Sequence, residues 1–483
     1  MSFNDFEPVI GLEIHAQLLT KSKLFCSCTT QFGLGDNENT CPVCMAMPGA
    51  LPVLNEQAVE FSMKTGLALN CKIRETSVFS RKQYFYPDLP KGYQISQYDK
   101  PLCEDGFIEF FLNGETKRVR IERAHMEEDA GKSIHNGDHT LINLNRAGVP
   151  LLEMVSAPDM RSSQEAAEYA RTIRQILLYL EVCDGNLDEG SLRCDCNVSV
   201  RKKGAEKYGT RTEIKNINSF RFIEKAIDYE IQRQIEAVLS GEKIVQETRL
   251  YDPDKNRTFT MRSKEEAMDY RYFPEPDLLP LKVTSAHISK IKESLPELPI
   301  ARALRFAEEY KIPTYDALVL TTEKPLANYF EEAAKLSKNA KAASNWVMTE
   351  LLRELNNAQK DVTSSPISAK HLAELILEID KGTISGKIAK TVFLEMWSSQ
   401  KDPASIIKEK GLVQISDNSA IDKMIDEIIA GNTGQVEQYR SGKDKLFGFF
   451  VGQVMKISKG QANPELVNEL LKKKLGNSEK TIA

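Results

Sequence analysis

The sequence predicts an α+β protein: a sheet-rich domain, then an all-helical domain, then a helical tail. Three observations predict it. Up to about residue 290 strand-like alternation is mixed with a few strong helices, and beyond that point helical periodicity dominates. The cluster Pro274, Pro276 and Pro280 falls at the change of pattern and marks the end of the first domain. A chain of 483 residues also exceeds what one ordinary core sustains. The boundaries drawn from these shifts are 1–292, 293–410 and 411–483.

In chain order, the first element is a strand over Val9 to Leu18, with Leu12, Ile14 and Leu18 on one side and Glu13, His15 and Gln17 on the other. Ser162 to Val182 reads as a helix capped by Ser162, with Glu165 completing a capping box and Ile173, Ile176, Leu177 and Leu180 on one face. Leu192 to Arg201 alternates again. Leu192, Cys194, Cys196, Val198 and Val200 oppose Arg193, Asp195, Asn197, Ser199 and Arg201. Thr210 to Lys215 sets Arg211, Glu213 and Lys215 on one side. A second helix starts near Ser219, carries Ile223, Ile227, Ile231, Ile235 and Leu239, and stops at Gly241. From Pro296 to about Lys410 the pattern is helical, with Trp346, Val347, Leu351 and Leu352 as core. After a looser stretch that includes Gly431 to Gly434, the tail places Ile421, Met424, Ile425, Ile428 and Ile429 on one helix. Leu470, Leu471 and Leu475 follow on another.

The hydrophobic fraction of 41% and charged fraction of 28% are those of a folded, soluble chain. No apolar run approaches the ~20 residues needed to cross a bilayer. The start, MSFNDFEPVIGLEIH, lacks the features of a signal peptide, so a cytoplasmic location without membrane contact is expected. Nine cysteines there mean thiols or metal ligands rather than a disulfide framework. The net charge of −5 argues against broad, non-specific nucleic-acid binding. A local basic surface stays open, from Lys443, Lys445, Lys456, Lys459 and the run Lys472, Lys473, Lys474, although a run of that kind also suits a solvated helix end.

Taken singly, each polar strand side is an ordinary solvated face of an antiparallel pair. Together, with His125-Met126-Glu127-Glu128-Asp129, they make one carboxylate-rich face. Glu13, His15, Glu128, Asp195 and Glu213 supply oxygen and imidazole ligands suited to Mg2+ or Mn2+. Phosphorylating a carboxylate would need such ions, since two like charges ~4 Å apart repel by about 4 kcal/mol even at an effective dielectric of 20. Arg193, Arg201 and Arg211 are candidates to help hold the nucleotide.

Cys26-x-Cys28 and Cys41-x-x-Cys44 form a four-thiolate set over 26–44, with Gly33, Gly35 and Pro42 supplying turns, and fit a structural zinc knuckle. Cys71, Cys103, Cys183, Cys194 and Cys196 are packing residues. Gly131-Lys132-Ser133 ends like a phosphate-binding loop, but Met126 stands where its first glycine belongs and carboxylates crowd the approach, so it is rejected.

Long blocks now point to a family. Tyr86 to Asp99 (YPDLPKGYQISQYD), Leu144 to Pro158 (LNRAGVPLLEMVSAP), Asp184 to Arg201 and Glu213 to Glu224 resemble the B subunits of the tRNA-dependent amidotransferases. Tyr270 to Leu281 and the tail block Gly448 to Leu471 extend the likeness nearly end to end. The resemblance implies a cradle domain around an antiparallel sheet, similar in fold to glutamine synthetase and the guanidino kinases. It implies ATP- and magnesium-dependent phosphorylation of glutamate on tRNA(Gln) or aspartate on tRNA(Asn), then displacement of phosphate by ammonia. An amidase subunit would release that ammonia, a small third subunit would tether the two, and the helical domain and tail would hold the tRNA. By the same resemblance Glu13, His15, Glu128, Asp195 and Glu213 match the metal-binding set with Glu127 a neighbour, and Lys91 and Glu128 lie near the mouth of an ammonia tunnel. The knuckle would serve stability. The archaeal-type relative carries a synthetase-like insertion for which Pro280 to Pro296 leaves no room. The surface facing the amidase should be partly apolar. A free-standing ligase acting on a small carboxylate, and a catalytically idle tRNA-binding scaffold, remain as rivals.

Overall fold

The period-2 segments of the first 300 residues become strands in a computed structural model that describes residues 2–263, 269–415, 417–458 and 460–476. They are β1 (Phe6–Gln17), β2 (Lys72–Ile73), β3 (Thr76–Ser77), β4 (Phe79–Gln83), β5 (Tyr93–Gln97), β6 (Cys103–Leu112), β7 (Glu115–Glu128) and β8 (Lys132–Asn136). There follow β9 (His139–Asn143), β10 (Pro150–Ser156), β11 (Leu192–Lys202), β12 (Thr212–Lys215), β13 (Glu247–Asp252), β14 (Arg257–Ser263), β15 (Phe273–Pro274) and β16 (Leu281–Lys282). Nine of them form one sheet in the order β14-β13-β12-β11-β1-β10-β7-β6-β2, antiparallel except where β12 runs parallel to β13. A small sheet, β15-β4-β5, lies beside it in sequence and supplies further side chains to the site.

The large sheet has one apolar side. Ile10, Leu12, Ile14 and Ala16 of β1, Leu152 and Met154 of β10, and Cys194, Cys196 and Val198 of β11 share a single buried core. Helices α1 (Glu56–Ala68), α2 (Ser163–Leu180) and α3 (Phe220–Leu239) cover it through Met63, Ile173, Leu177, Ile223 and Ile227. Each such aliphatic side chain contributes roughly 1.5–3 kcal/mol by leaving water. The other side is left to the polar residues. Ser162 caps α2 by accepting from the Glu165 N–H, but the Glu165 carboxylate accepts from the Arg161 N–H rather than from the cap residue itself. Ser219 caps α3 through the Phe222 N–H, and Gly241 takes the left-handed conformation (φ +84°) at its end. Lys132 and Ser133 begin β8 instead of opening a helix, which agrees with rejecting a phosphate-binding loop there.

The chain divides into two compact units, Met1–Ile300 and Ala301–Ala483. Pro274 pairs with Ser80 in the small sheet, and Ile291, on the helix Ser285–Glu293, joins the first unit's core. The second unit is helical, apart from an isolated β-bridge between Ile415 and Ala462 and its loops, and has two cores. In the first, Val347 and Leu351 are fully buried within a π-helical turn, with Trp346 and Leu352 packed against them. The second gathers Ile421, Ile425, Ile428, Phe450, Val454, Val467, Leu471 and Leu475. Lys443, Lys445, Lys456, Lys472 and Lys473 are exposed, whereas Lys474 is engaged by Asp422 and Asp426; Lys459 and residues 477–483 lie outside the described residues. No described helix is long and apolar enough to cross a membrane.

Glu331 links two helices of this unit, accepting from Arg302 at 2.7 Å and Arg305 at 3.2 Å while Lys335 sits at 2.9 Å. Burial pushes its carboxyl up, but these three cations outweigh that and hold it at about 2, below its ordinary 4.5. Its contribution is therefore full above pH 4.5 and lost as pH falls through 2. Glu331→Gln should destabilise the chain by about 1 kcal/mol at pH 7 after allowance for solvent screening, with the difference vanishing near pH 2 in urea melts.

Candidate active site and metal centres

The polar side of the large sheet is organised by register. His15 of β1 lies opposite Arg193 of β11 on one side and Glu153 of β10 on the other, and Glu153 in turn lies opposite His125 of β7. Glu13 pairs with Asp195, and Asn197 with Glu213. Strand alternation thus carries Glu13, His15, Asp195, Glu213, His125, Glu127 and Glu153 to one face. His15, Glu127 and Glu153 offer ligand atoms that all lie within 4.8 Å of one another. His15 Nε2 is 3.4 Å from Glu153 and 3.8 Å from Glu127, and His125 Nε2 is 3.6 Å from Glu153.

This cluster is buried, and its charges are set by its neighbours. Burial lowers the His15 imidazole, but the hydrogen bond and charge of Glu153, with Glu127 and Asp195, prevail and raise it to about 9. Burial lowers His125 to about 4, so it is neutral near pH 7. Glu127 is raised by burial and then by the charge of Glu153. For Glu153, burial is opposed by His125 when that ring is protonated, and near neutral pH by His15 and Lys82, which hold the carboxyl below its ordinary range. Glu13 is raised by burial, then by Glu153 and Glu213, with Asn197 donating at 2.9 Å in compensation. Three buried polar atoms on this face have no partner, His125 Nδ1, Glu127 Oε2 and Arg193 Nε. A cation held by His15, Glu127 and Glu153 would offset the like charges of the two carboxylates, so those residues fit a hard divalent ion with oxygen and imidazole ligands.

Cations already touch the rim. Lys215 donates to Asp195 at 2.5 Å and lies 3.1 Å from Glu213, while Thr248 donates to Glu213. Lys82 of β4 is half-buried, and the charges of Glu127 and Glu153 hold it protonated against the cost of leaving water. The three candidate arginines part company. Arg193 donates to Asp129 at 2.8 Å, Arg201 to Glu7 at 2.7 Å, and Arg211 lines a cavity of about 470 Å3 that opens beside Glu13. Gly11, Asn197, Ser199 and Thr210 also line it.

Glu128 stands apart from the rest of the expected metal set. It follows Glu127 on β7, so its side chain turns to the opposite face of the sheet. There it accepts from Lys91 Nζ at 2.5 Å and from the Ile95 N–H at 2.9 Å. Both Lys91 and Glu128 line a second cavity, about 210 Å3, whose wall includes Cys26, Val43, Cys44 and Met47. Sequence reasoning gave no role to Glu153, His125 or Lys82. The one available signal was a single carboxylate inside the otherwise apolar strand PLLEMVS.

The sulfurs of Cys26, Cys28, Cys41 and Cys44 lie within 4.8 Å of one another. Those of Cys41 and Cys44 are 3.8 Å apart, the edge of a tetrahedron with zinc–sulfur bonds of about 2.3 Å. A hydrogen bond from Cys26 lowers the Cys44 thiol most, with the Cys41 N–H and Lys23 adding to it against burial. Lys23 is fully buried and donates to Asn39 O at 2.6 Å, Leu144 O at 3.3 Å and Cys44 Sγ at 3.6 Å. The set fits a structural zinc.

The first unit, with its open acid-lined sheet face, is a catalytic domain of recognised type: residues 8–289 match the sequence model of the GatB/GatE catalytic domain, and residues 328–475 match that of the GatB domain. The B subunit of the aspartyl/glutamyl-tRNA(Asn/Gln) amidotransferase from Bdellovibrio bacteriovorus is 67% identical over 98% of this chain and 100% of its own length. Proteins of the same name from Geotalea daltonii and Myxococcus xanthus are each 56% identical, over 98% and 99% of this chain and 99% and 100% of their own lengths. The chain belongs to the family of aspartyl/glutamyl-tRNA(Asn/Gln) amidotransferase B subunits, which are parts of ligase-type enzymes.

Proposed function

We propose that this chain uses ATP to phosphorylate the side-chain carboxylate of glutamate on tRNA(Gln), of aspartate on tRNA(Asn), or of both, and then forms the amide with ammonia from an amidase subunit. The observation that carries this reading is the cluster of His15, Glu127 and Glu153, with Glu127 Oε2 buried and unpartnered, next to a cavity large enough for a nucleoside. Its relatives' names supply the substrate class. In this reading the ATP base and ribose enter the cavity at Gly11, Ser199 and Thr210, with Arg211 at its mouth. Glu13, His15, Glu127, Glu153, Asp195 and Glu213 hold Mg2+ or Mn2+, which when bound offsets the charge of the phosphates and the acceptor carboxylate. Lys82 keeps its proton among Glu127 and Glu153 and steadies the anions that meet there.

The acceptor carboxylate oxygen bonds to the terminal phosphorus as the bond to the ADP oxygen breaks. Ammonia then attacks the acyl carbon and phosphate leaves. Glu128 and Lys91, paired on the far side of β7, are placed to receive the ammonia and take the proton it sheds. Exposed Phe32, Met47, Leu51, Val53 and Phe85 give an apolar surface on the knuckle side for the amidase subunit, tethered by the small third subunit. The tRNA body would lie on the helical segments 293–410 and 411–483, the latter presenting Lys443, Lys445, Lys456, Lys472 and Lys473. A cradle fold akin to glutamine synthetase and the guanidino kinases is part of the same proposal.

The test is ATP cleavage by the assembled complex with and without misacylated tRNA. Stimulation by the misacylated tRNA, and not by the correctly charged one, is expected. ATP cleavage indifferent to tRNA would favour a free-standing ligase, and none at all a scaffold.

A further inference from the structure

We propose that a tyrosine rim at the His15 end of the acidic face seats the terminal adenosine of the aminoacyl-tRNA by base stacking; this rests on the function proposed above and places one part of its substrate.

Four tyrosines come from the three strands of the small sheet. Tyr84 follows β4, Tyr98 follows β5, and Tyr270 and Tyr272 precede β15. Tyr98 and Tyr272 are stacked flat, with ring centroids 4.1 Å apart and planes within 3°. Tyr270 meets Tyr272 and Tyr84 edge-on, each at 6.0 Å. The group is fixed in place, since the Gln83 N–H donates to the Tyr270 carbonyl at 2.9 Å. It also borders the acidic cluster, since the Gln97 side chain, next to Tyr98, accepts from the Met126 N–H at 3.1 Å, one residue before Glu127. Tyr272 is raised to about 12 by burial, against the pull of Lys82 and with the charges of Glu127 and Glu153 adding to it.

Yet Tyr98, backed by Tyr272 on one side, is 51% exposed. A ring held flat against a second ring and half exposed to solvent offers an unstacked base a surface, and proteins that bind single-stranded RNA use such platforms without sequence preference. Cations alternate with the rings. Lys100 lies two residues after Tyr98, and Arg271 sits between Tyr270 and Tyr272; both are exposed, where backbone phosphates would run.

Two ligands containing adenine must approach this face, and their sites differ. The cavity with Arg211 opens at Gly11, whereas Gln97, beside Tyr98, ties the rim to Met126 of β7, whose register row runs through Leu152 to Ala16, next to His15. Four residues of strand separate Gly11 from His15, about 13 Å. ATP entering at one end and the esterified amino acid at the other would bring the phosphate and the carboxylate together between them. The end of a tRNA is single-stranded and its last nucleoside carries the amino acid, so that base must lie close to wherever the carboxylate is held.

The assembled complex would be titrated with misacylated tRNA carrying 2-aminopurine in place of its terminal adenine, whose fluorescence is quenched by stacking. Wild type and Tyr98→Phe should quench it, and Tyr98→Ala should not. In steady-state assays Tyr98→Ala should raise the KM for misacylated tRNA about tenfold, with Tyr98→Phe restoring it and the KM for ATP unmoved by comparison. Full quenching by Tyr98→Ala, or a rise in the KM for ATP in place of that for tRNA, overturns the assignment. If the wild-type complex shows no stimulation of ATP cleavage by misacylated tRNA, it is the underlying function that fails; if stimulation is present and the Tyr98→Ala tRNA response is normal, only the rim does.

Discussion

Glu127→Gln is expected to lower tRNA-stimulated ATP cleavage by the assembled complex about a thousandfold, a loss of about 4 kcal/mol of transition-state stabilisation. The side chain is buried, with Oε1 at 3.8 Å from His15 Nε2 and Oε2 without a partner. Replacing it by an amide of the same size removes a negative ligand from the site without opening a cavity. The fold should not suffer, because Glu127 is raised by burial and by the charge of Glu153, so its ionised form costs the metal-free protein stability. The thermal midpoint should stay level or rise while the activity falls, and that combination separates loss of a ligand from loss of structure. Glu128→Gln should behave differently. Its partners are Lys91 and the Ile95 N–H on the opposite face, so ATP cleavage should largely persist while amide formation from glutamine declines. Equal loss of ATP cleavage in the two variants would show that the faces are not chemically separate.

That pair of residues also marks where the sequence stops being informative. Alternation sorts β1 and β11 without ambiguity, because each has one apolar and one polar side; Glu13, His15, Asp195 and Glu213 were therefore legible as one face, and the structure places them there. The end of β7 offers no such contrast. His125, Met126, Glu127, Glu128 and Asp129 are all buried, so polarity does not tell which of two adjacent carboxylates joins the cluster. Strand geometry says only that both cannot. Glu153 was hidden for the same reason, since every residue of β10 is buried on both faces. Lys82 depends on the docking of a separate small sheet, a long-range relation that local pattern does not carry. The helices were legible from periodicity and caps, with Ser162 and Ser219 acting as read.

Cys44→Ser should abolish zinc binding and lower the thermal midpoint of the unit Met1–Ile300 by about 6 °C, as expected where loss of a structural metal costs about 4 kcal/mol. The loop from Cys26 to Cys44 buries little of itself. Among its described residues only Asn39 and Cys44 are buried, and it is held to the body by polar contacts with Thr20, Lys23, Asn143, Leu144 and Asn145. Lys23 is what makes the effect spread. Its buried ammonium is satisfied by two carbonyls and the Cys44 sulfur, and four thiolates around a divalent ion leave net negative charge for it to face. With the metal and one thiolate gone, the ammonium loses an anion while still out of water, and a buried charge without its partner is strongly destabilising. The Leu144 carbonyl that it holds lies a few residues before β10, so disturbance reaches the strand that carries Glu153. Metal content by mass spectrometry and melting curves, run together on wild type and Cys44→Ser, decide the matter. Full zinc occupancy in the variant, or an unchanged midpoint without zinc, would show that the knuckle does not depend on the ion.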